Sequence, residues 1–543
     1  MMDSLIKVIA ALVCACFFFV GTFKTLGVMQ QAGYKTGGFW RWTTKKENTL
    51  GLRLCCWGLL LLFSVGIVSL CFSFAGTEVA LCLTAVPFLG LSLLYCYADR
   101  KHALKVPLKG TGRVKRLAAV YFFLLACLTY GVIALSAFFY QWAAADGAPI
   151  VYALWQYLPV TLLPWLTPFV LTLANWLTAP FENLRNRLYV KKAAKKIAEK
   201  EGKTVAVVGS YGKTSVKRIL TTLLSQKYAV CATPASFNTP MGLAKTAMSE
   251  EFDKAEVFIA EMGARRIGDI AELCKIASPD YALFTGVCAQ HIASFGSLDK
   301  VKQEKCTVFK SGAKSIVCAL SLKEDVKEIF EGLTDEEKGK ITFLTGEEIE
   351  DLKLCFNATK FTLSFGEESW AVDVPLLGKH SAENIALCVC LAKQMGLSRE
   401  EIAKGLAALQ PIEHRLQLLE SNGVYILDDA YNANERGAAE AVEALTRFEG
   451  RKTVVTPGLV EAGTLEKELG EKLGKILAEA NLDQVILVGD TQVAPVKNGY
   501  LAAGGDKEKI RLCFSLDKAK EALQGTLQAG DAVLFLNDLP DVY

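Results

Sequence analysis

Long apolar runs at residues 5–23, 50–74, 78–98 and 117–142 dominate the beginning of this 543-residue chain. Each holds about 20 residues or more with at most one or two charges, long enough to cross a hydrocarbon core as a helix. Residues 150–178 make a fifth candidate. Pro159, Pro164 and Pro168 lie in it, and a spanning helix tolerates them only with kinks or neighbouring partners, so a re-entrant segment competes with a total of about five spans. Lys24, Lys35, Arg41, Lys45, Lys46 and Arg53 flank the first connection, seven more basic residues from Arg100 to Arg116 fill the third, and the second and fourth carry none. The positive-inside bias then places both basic connections in the cytoplasm and the N-terminus outside. A multi-pass protein of the cell inner (cytoplasmic) membrane is expected, with everything after residue 180 cytosolic. A cleaved signal peptide is disfavoured, because the first run ends in no small-residue cleavage pattern and the N-terminal region is barely basic, with only Lys7 against Asp3.

Charge divides the chain at the same place. Residues 1–200 hold 21 basic and 7 acidic side chains, a net of +14, and the remaining 343 hold 39 and 50, a net of −11, within an overall +3. The N-terminal basic residues punctuate apolar runs, so membrane lipids with anionic head groups are the expected partner and nucleic acid is not. A 22% charged content at near-zero net charge excludes disorder. The 17 cysteines include no CxxC pair, hence no zinc or redox spacing.

The sharpest local signal follows. Thr204 to Val208 reads as a β-branched strand, GSYGKTS occupies 209–215, and 216–224 has helical spacing. In such a strand, loop and helix, backbone N–H groups cradle phosphate oxygens at Gly209 and Gly212, Lys213 neutralises the β and γ phosphates, and the Thr214 hydroxyl can hold Mg²⁺. The alternative is a glycine turn that happens to precede a lysine. Val207 stands where the usual GxxxxGK[ST] loop has its first glycine, so the loop is shortened.

A short loop of this kind resembles the Mur ligases, ATP-dependent amide-forming enzymes of peptidoglycan synthesis. EMGARRIGDI (261–270), the run from Ser278 to Lys305, GKHSAENIALC (378–388), HRLQ (414–417) and DDAYNANERG (428–437) are similar, in family order, to motifs of the branch that adds D-alanyl-D-alanine to UDP-N-acetylmuramoyl-tripeptide. Three of the four histidines, His291, His380 and His414, fall inside these motifs.

The resemblance implies roles residue by residue. Lys213, Thr214 and Ser215 would bind ATP with Gly209 and Gly212. Thr214 and Glu261 would hold a first Mg²⁺ and His291 a second. Lys305 matches a lysine that several members carbamylate, turning a cation into an oxygen donor for Mg²⁺. Lys213, Lys305 and His291 would form the catalytic group. His380 and Asn384 fall where the family contacts adenine, and Arg415 and Asp429 near the nucleotide from the hinge and C-terminal domain. Asn238, Asn432 and Asn434 would face substrate. Each has a structural alternative: Glu261 as a helix-terminal carboxylate, Lys305 as a solvated lysine, Asn384 as a cap.

The expected fold class is α/β. A transmembrane helical domain (1–180) leads through a basic interfacial linker helix (181–202), the alternative being a solvated one, to a P-loop ATPase-like central domain (203–415). A Rossmann-like C-terminal domain (416–543) follows, inferred from apolar runs at 424–427, 453–456, 484–488, 510–514 and 532–536 that alternate with helical stretches. The reaction implied joins an amino acid or dipeptide amine to a carboxylate through an acyl phosphate, with ATP and Mg²⁺. Membrane segments stand where relatives bind the UDP-sugar, TPGLVEAG (456–463) replaces LGDMxELG, and the chain ends in LNDLPDVY. A muropeptide or lipid-linked cell-wall precursor is therefore the expected acceptor. Two other readings stay open: a capsular poly-γ-glutamate synthase-like ligase, and a P-loop membrane transporter or regulator.

Overall fold

The computed structural model describes residues 2–44, 57–58, 108–144, 163–288, 292–431, 434–459, 465–489 and 493–536. The chain forms two compact units, Met1–Asn186 and Arg187–Pro540.

The first unit is helical, with Met2–Gly21, Phe23–Gln31, Thr36–Thr44, Gly112–Ala144 and the beginning of Leu163–Glu199. Polar groups lie inside it. Thr22, Thr129, Thr167, Asn175 and Glu182 are buried, and each finds a partner: Thr22 Oγ1 and Tyr121 Oη are 2.7 Å apart, Asn175 Nδ2 donates to the Tyr34 carbonyl at 3.0 Å, and Glu182 accepts from Arg116 at 2.5 and 3.1 Å. Large apolar side chains point outward instead, Phe123, Trp176 and Phe181 being 65%, 68% and 77% exposed. Among the described residues one helical stretch, Gly112–Leu135, is long and apolar enough to cross a membrane, with mean hydropathy 2.2. The expected spans at 50–74 (Trp57 and Gly58 apart) and 78–98, and residues 150–162 of the fifth, lie outside the described residues.

The linker helix corrects the sequence reading. It was expected to lie on a membrane face or in solvent, yet Ala193 and Ile197 are buried in the core of the second unit with Tyr189 and Val190 packed beside them. Lys196 Nζ lies 2.5 Å from Asp253 Oδ1, and Lys200 Nζ donates to the Asp253 carbonyl at 2.9 Å. Amphipathic spacing says that one face is covered and leaves open by what.

The second unit begins with a parallel six-stranded sheet in the order β2-β3-β1-β4-β5-β6. Its strands are β1 (Lys203–Val208), β2 (Val230–Ala232), β3 (Val257–Glu261), β4 (Tyr281–Phe284), β5 (Ser315–Cys318) and β6 (Ile341–Phe343). Helices cover both faces, so β1 is apolar on both: Val205 and Val207 pack with Ile219 and Leu220 of helix Lys213–Leu224, Ala206 and Val208 with Ile270 and Leu273 of helix Asp269–Ala277. Strand order reverses about β1, which opens a crevice at the carboxyl ends of β1, β3 and β4. An antiparallel sheet of β7 (Ile349–Leu354), β8 (Thr359–Phe365) and β9 (Glu368–Val374) follows. Its Trp370 and Val372 pack in one core with Ile385 of helix Lys379–Gln394.

A second sheet runs β10-β11-β15-β12-β13-β14, parallel except for β10. Its strands are β10 (Gln417–Ser421), β11 (Val424–Asp429), β12 (Lys452–Thr456), β13 (Gln484–Val488), β14 (Ile510–Cys513) and β15 (Ala532–Leu536). Every strand expected here is present, β11 running two residues longer and β14 stopping one short. At the junction of the two sheet domains His414 and Leu416 have φ of 58° and 48°, a left-handed backbone that costs a non-glycine residue roughly 1–3 kcal/mol and persists where its surroundings fix it.

Candidate active site

The loop between β1 and helix Lys213–Leu224 supplies the first wall of the crevice. Gly209 and Gly212 have φ of 151° and 74°, and neither tolerates a side chain. A Cβ on Gly209 would run into Thr285 Oγ1, and one on Gly212 would sit 3.2 Å from Asn384 Oδ1. Lys213 Nζ curls over the loop and donates to the carbonyls of Gly209 (2.8 Å) and Ser210 (3.1 Å). Burial pulls its pKa down. Among the described residues Ser210 Oγ is buried without a hydrogen-bond partner, an orphan hydroxyl beside backbone N–H groups at a helix N-terminus. That is the donor set a phosphate oxygen satisfies, so the loop fits a nucleotide's phosphates.

Glu261 ends β3 one register step from the loop, its Cα opposite Val207. Three donors meet its buried carboxylate: Lys217 Nζ at 2.9 Å, Thr214 Oγ1 at 3.2 Å and Asn238 Nδ2 at 3.3 Å. Lys217 also donates to the Ala235 carbonyl. A threonine hydroxyl against a carboxylate at the mouth of a phosphate loop is hard-oxygen chemistry that suits Mg²⁺. Among the described residues no group of three or more His, Cys, Asp or Glu comes together, and His291 lies outside them. Asn238, expected on the substrate side, is joined to this carboxylate.

Lys305, in helix Leu298–Cys306, is 3% exposed. Its neighbour Glu304, whose carboxylate accepts from the backbone N–H of Gly268 and Ile270, both at 2.6 Å, offsets the burial only in part. Burial, and then the charge of Lys213, push the Lys305 pKa down to about 7. A solvated surface lysine is therefore ruled out for this position.

The C-terminal sheet domain forms the opposite wall. Arg415 stacks over the Tyr431 ring at 4.3 Å. Burial lowers the Arg415 pKa while Asp429 opposes the shift, and burial raises Asp429 while Arg415 opposes it. Asp429 Oδ1 also accepts from the Leu416 N–H at 3.1 Å, and His414 Nδ1 lies 2.7 Å from Asp428. His380 is taken by this domain too: Glu440 bonds both its ring Nδ1 and, at 2.9 Å, its backbone N–H. Asn384 lies against the phosphate loop at Gly212. Asn434 caps helix Glu435–Leu445 by accepting from the Gly437 N–H at 2.9 Å, and Asn432 lies outside the described residues. Ser215 occupies the first turn of the helix that the loop opens.

Two family models match this region: the Mur ligase middle domain over residues 207–392, and the Mur ligase glutamate ligase domain over 414–537. Residues 207–537 belong to the Mur ligase family. The chain is accordingly an ATP-dependent amide-bond ligase. It is 27% identical over 349 residues to the UDP-N-acetylmuramoyl-tripeptide–D-alanyl-D-alanine ligase of Bacillus subtilis, covering 61% of this chain and 72% of that one. The Escherichia coli ligase of the same name is 28% identical over 296 residues, 53% of this chain and 64% of its own length. Among solved structures, the MurF ligase of Thermotoga maritima in complex with ADP superposes with TM-score 0.58 at 28% identity, over 66% of this chain and 81% of that one.

Sequence reasoning about this Mur ligase passed over Ser210, Lys217 and Arg436. Lys217 carried a signal: it is a charged residue between Val216 and Ile219 on the buried face of its helix, where a lysine stays only if something pairs it.

Proposed function

We propose that this Mur ligase joins D-alanyl-D-alanine, or an amine like it, to the terminal carboxylate of a muropeptide in peptidoglycan synthesis, at the inner face of the cytoplasmic membrane. The observation that carries the chemistry is the phosphate loop with its orphan Ser210 hydroxyl, faced by Glu261 with Thr214 and by the buried Lys305. The relatives' names, and the complex of the Thermotoga enzyme with ADP, support the substrate class.

In this reading the acceptor carboxylate oxygen bonds to the γ-phosphorus of ATP as the bond to the β-phosphate oxygen breaks, giving an acyl phosphate and ADP. The amine nitrogen then bonds to the acyl carbon, inorganic phosphate leaves, and the nitrogen gives up its proton. The work of the chain is positioning and electrostatics. Backbone N–H groups of the loop and the Ser210 hydroxyl hold the phosphates, and Lys213 offsets their charge. Thr214 and Glu261 would hold Mg²⁺, which shields charge on the transferred phosphoryl group. Lys305, with a pKa near 7, is largely a neutral amine just above neutrality. Its nitrogen can add to the carbon of CO₂ and lose a proton, replacing a cation near Lys213 with a carbamate oxygen donor.

The membrane reading rests on the N-terminal charge excess, the qualifying stretch Gly112–Leu135 and the polar-inside, apolar-outside pattern of the first unit. Retention of the full-length protein in membranes through alkaline carbonate extraction is expected, and release into the supernatant overturns it. A lipid-linked acceptor follows from that placement. The catalytic test is ADP release by the detergent-solubilised protein, with UDP-N-acetylmuramoyl-tripeptide or its lipid-linked form as acceptor and D-alanyl-D-alanine or glutamate as amine. Release that needs the dipeptide supports the proposal. Release that needs glutamate moves the protein to another polymer, and release without any amine removes the ligase assignment.

A further inference from the structure

Among the described residues, an apolar and a polar contact help to seat the C-terminal sheet domain on the ATP-binding domain. One is apolar: Phe356, at the turn between β7 and β8, meets the rings of Tyr425 and Phe448 at centroid distances of 5.8 and 5.6 Å. The other is polar and centres on Arg436, in the first turn of helix Glu435–Leu445. Its guanidinium forks onto Glu383 of helix Lys379–Gln394, with Nη2 at 2.8 and 3.0 Å from the two carboxylate oxygens. Glu440, one turn on, holds Arg436 Nε at 3.3 Å and binds His380 across the same junction. The third edge of the fork, Nη1, reaches the Tyr211 hydroxyl at 3.5 Å.

Tyr211 is the residue between Ser210 and Gly212 in the phosphate loop. Its ring lies against Gly286, its carbonyl accepts from Thr285, and its hydroxyl is 3.1 Å from Ser321 Oγ. Glu383 precedes Asn384, whose amide oxygen abuts Gly212. Arg436 therefore reaches the loop directly at Tyr211 and, through Glu383 and its chain neighbour Asn384, indirectly at Gly212; the bonds Arg436 makes to Tyr211 and Glu383 break together when the C-terminal domain lifts away. We propose that Arg436 is a positioning residue that locks the C-terminal domain onto the phosphate loop, so that the loop is held in its nucleotide-binding form only when that domain is seated. Phe356 supplies the pivot and Arg436 the latch. A planar fork that satisfies Glu383, Glu440 and Tyr211 at once is work a lysine cannot do. Apparent nucleotide affinity then scales with the fraction of seated molecules.

The inference rests on the ATP-dependent ligase reading, and its test needs no knowledge of the acceptor or the amine. Isothermal titration of the detergent-solubilised full-length protein with ADP and Mg²⁺ compares wild type, Arg436→Gln, Glu383→Gln, the double variant and Arg436→Lys. Each Gln variant is expected to weaken ADP binding on the order of tenfold, the range of ordinary coupling energies. The double variant is expected to be no weaker than the worse single one, since both break one contact, and Arg436→Lys to recover part of the loss. Wild-type affinity in Arg436→Gln overturns the inference, as do losses that multiply in the double variant, the pattern of two unconnected structural defects. A wild-type protein that binds no ADP removes the ligase reading itself, a result distinct from either.

Discussion

Lys217 and Glu261 form a buried pair, each side chain 3% exposed or less at a separation of 2.9 Å. Removing one member of such a pair strands a charge in low dielectric, so Lys217→Met is expected to cost about 3–5 kcal/mol in urea unfolding of the full chain. A loss near zero contradicts the pairing. His380 and Glu440 make a less deeply buried counterpart whose strength follows pH. Burial disfavours both charges, yet their mutual bond holds His380 above its usual value and Glu440 down at about 2. Glu440's contribution is present above its unfolded value near 4.5 and fades as pH falls toward 2. His380's is complete below its unfolded value near 6.5 and fades as pH rises through the higher folded value. The thermal midpoint lost in Glu440→Gln is therefore expected to be largest between about pH 4.5 and 6.5 and to shrink on either side. A pH-independent difference contradicts the pair. At this scale the sequence shows Lys213, Thr214 and Glu261 through their motifs. It cannot show that Glu440 occupies His380, because that partner is set by how two domains meet, whereas the Asn434 cap is a local bond to the Gly437 N–H that the resemblance overrode.

Secondary structure was legible wherever burial leaves a period. The strand, loop and helix at 203–224 and the five parallel strands of the C-terminal sheet read directly, because strands covered on both faces must be apolar throughout. The small antiparallel sheet was passed over, although β9 alternates cleanly, with Trp370, Val372 and Val374 buried between exposed neighbours. β7 gives no such help, since none of its residues is fully buried. The helix Leu163–Glu199 carries the more instructive miss. Its basic, amphipathic end reads as a membrane-surface helix, whereas Ala193 and Ile197 fill the ATP-binding domain's core. Ile197→Ala is accordingly expected to destabilise the full chain by about 2–3 kcal/mol in chemical unfolding. An unchanged midpoint would return this helix to the membrane face or solvent.

For the molecule as a whole, the chain joins a helical unit with an apolar exterior to two α/β domains that face each other across a phosphate loop. The charge of the chain changes sign near residue 200, and its two compact units divide between Asn186 and Arg187. Catalysis by such a pair of domains depends on bringing an activated carboxylate and an amine together with water excluded. ATP turnover should accordingly be tied to amide formation. The most direct measurement is mass spectrometry of the reaction products beside a count of ADP released, with UDP-N-acetylmuramoyl-tripeptide, D-alanyl-D-alanine, ATP and Mg²⁺. The expected product is an acceptor heavier by the dipeptide less one water, formed one-for-one with ADP. ADP accumulating while the acceptor mass stays unchanged would contradict it.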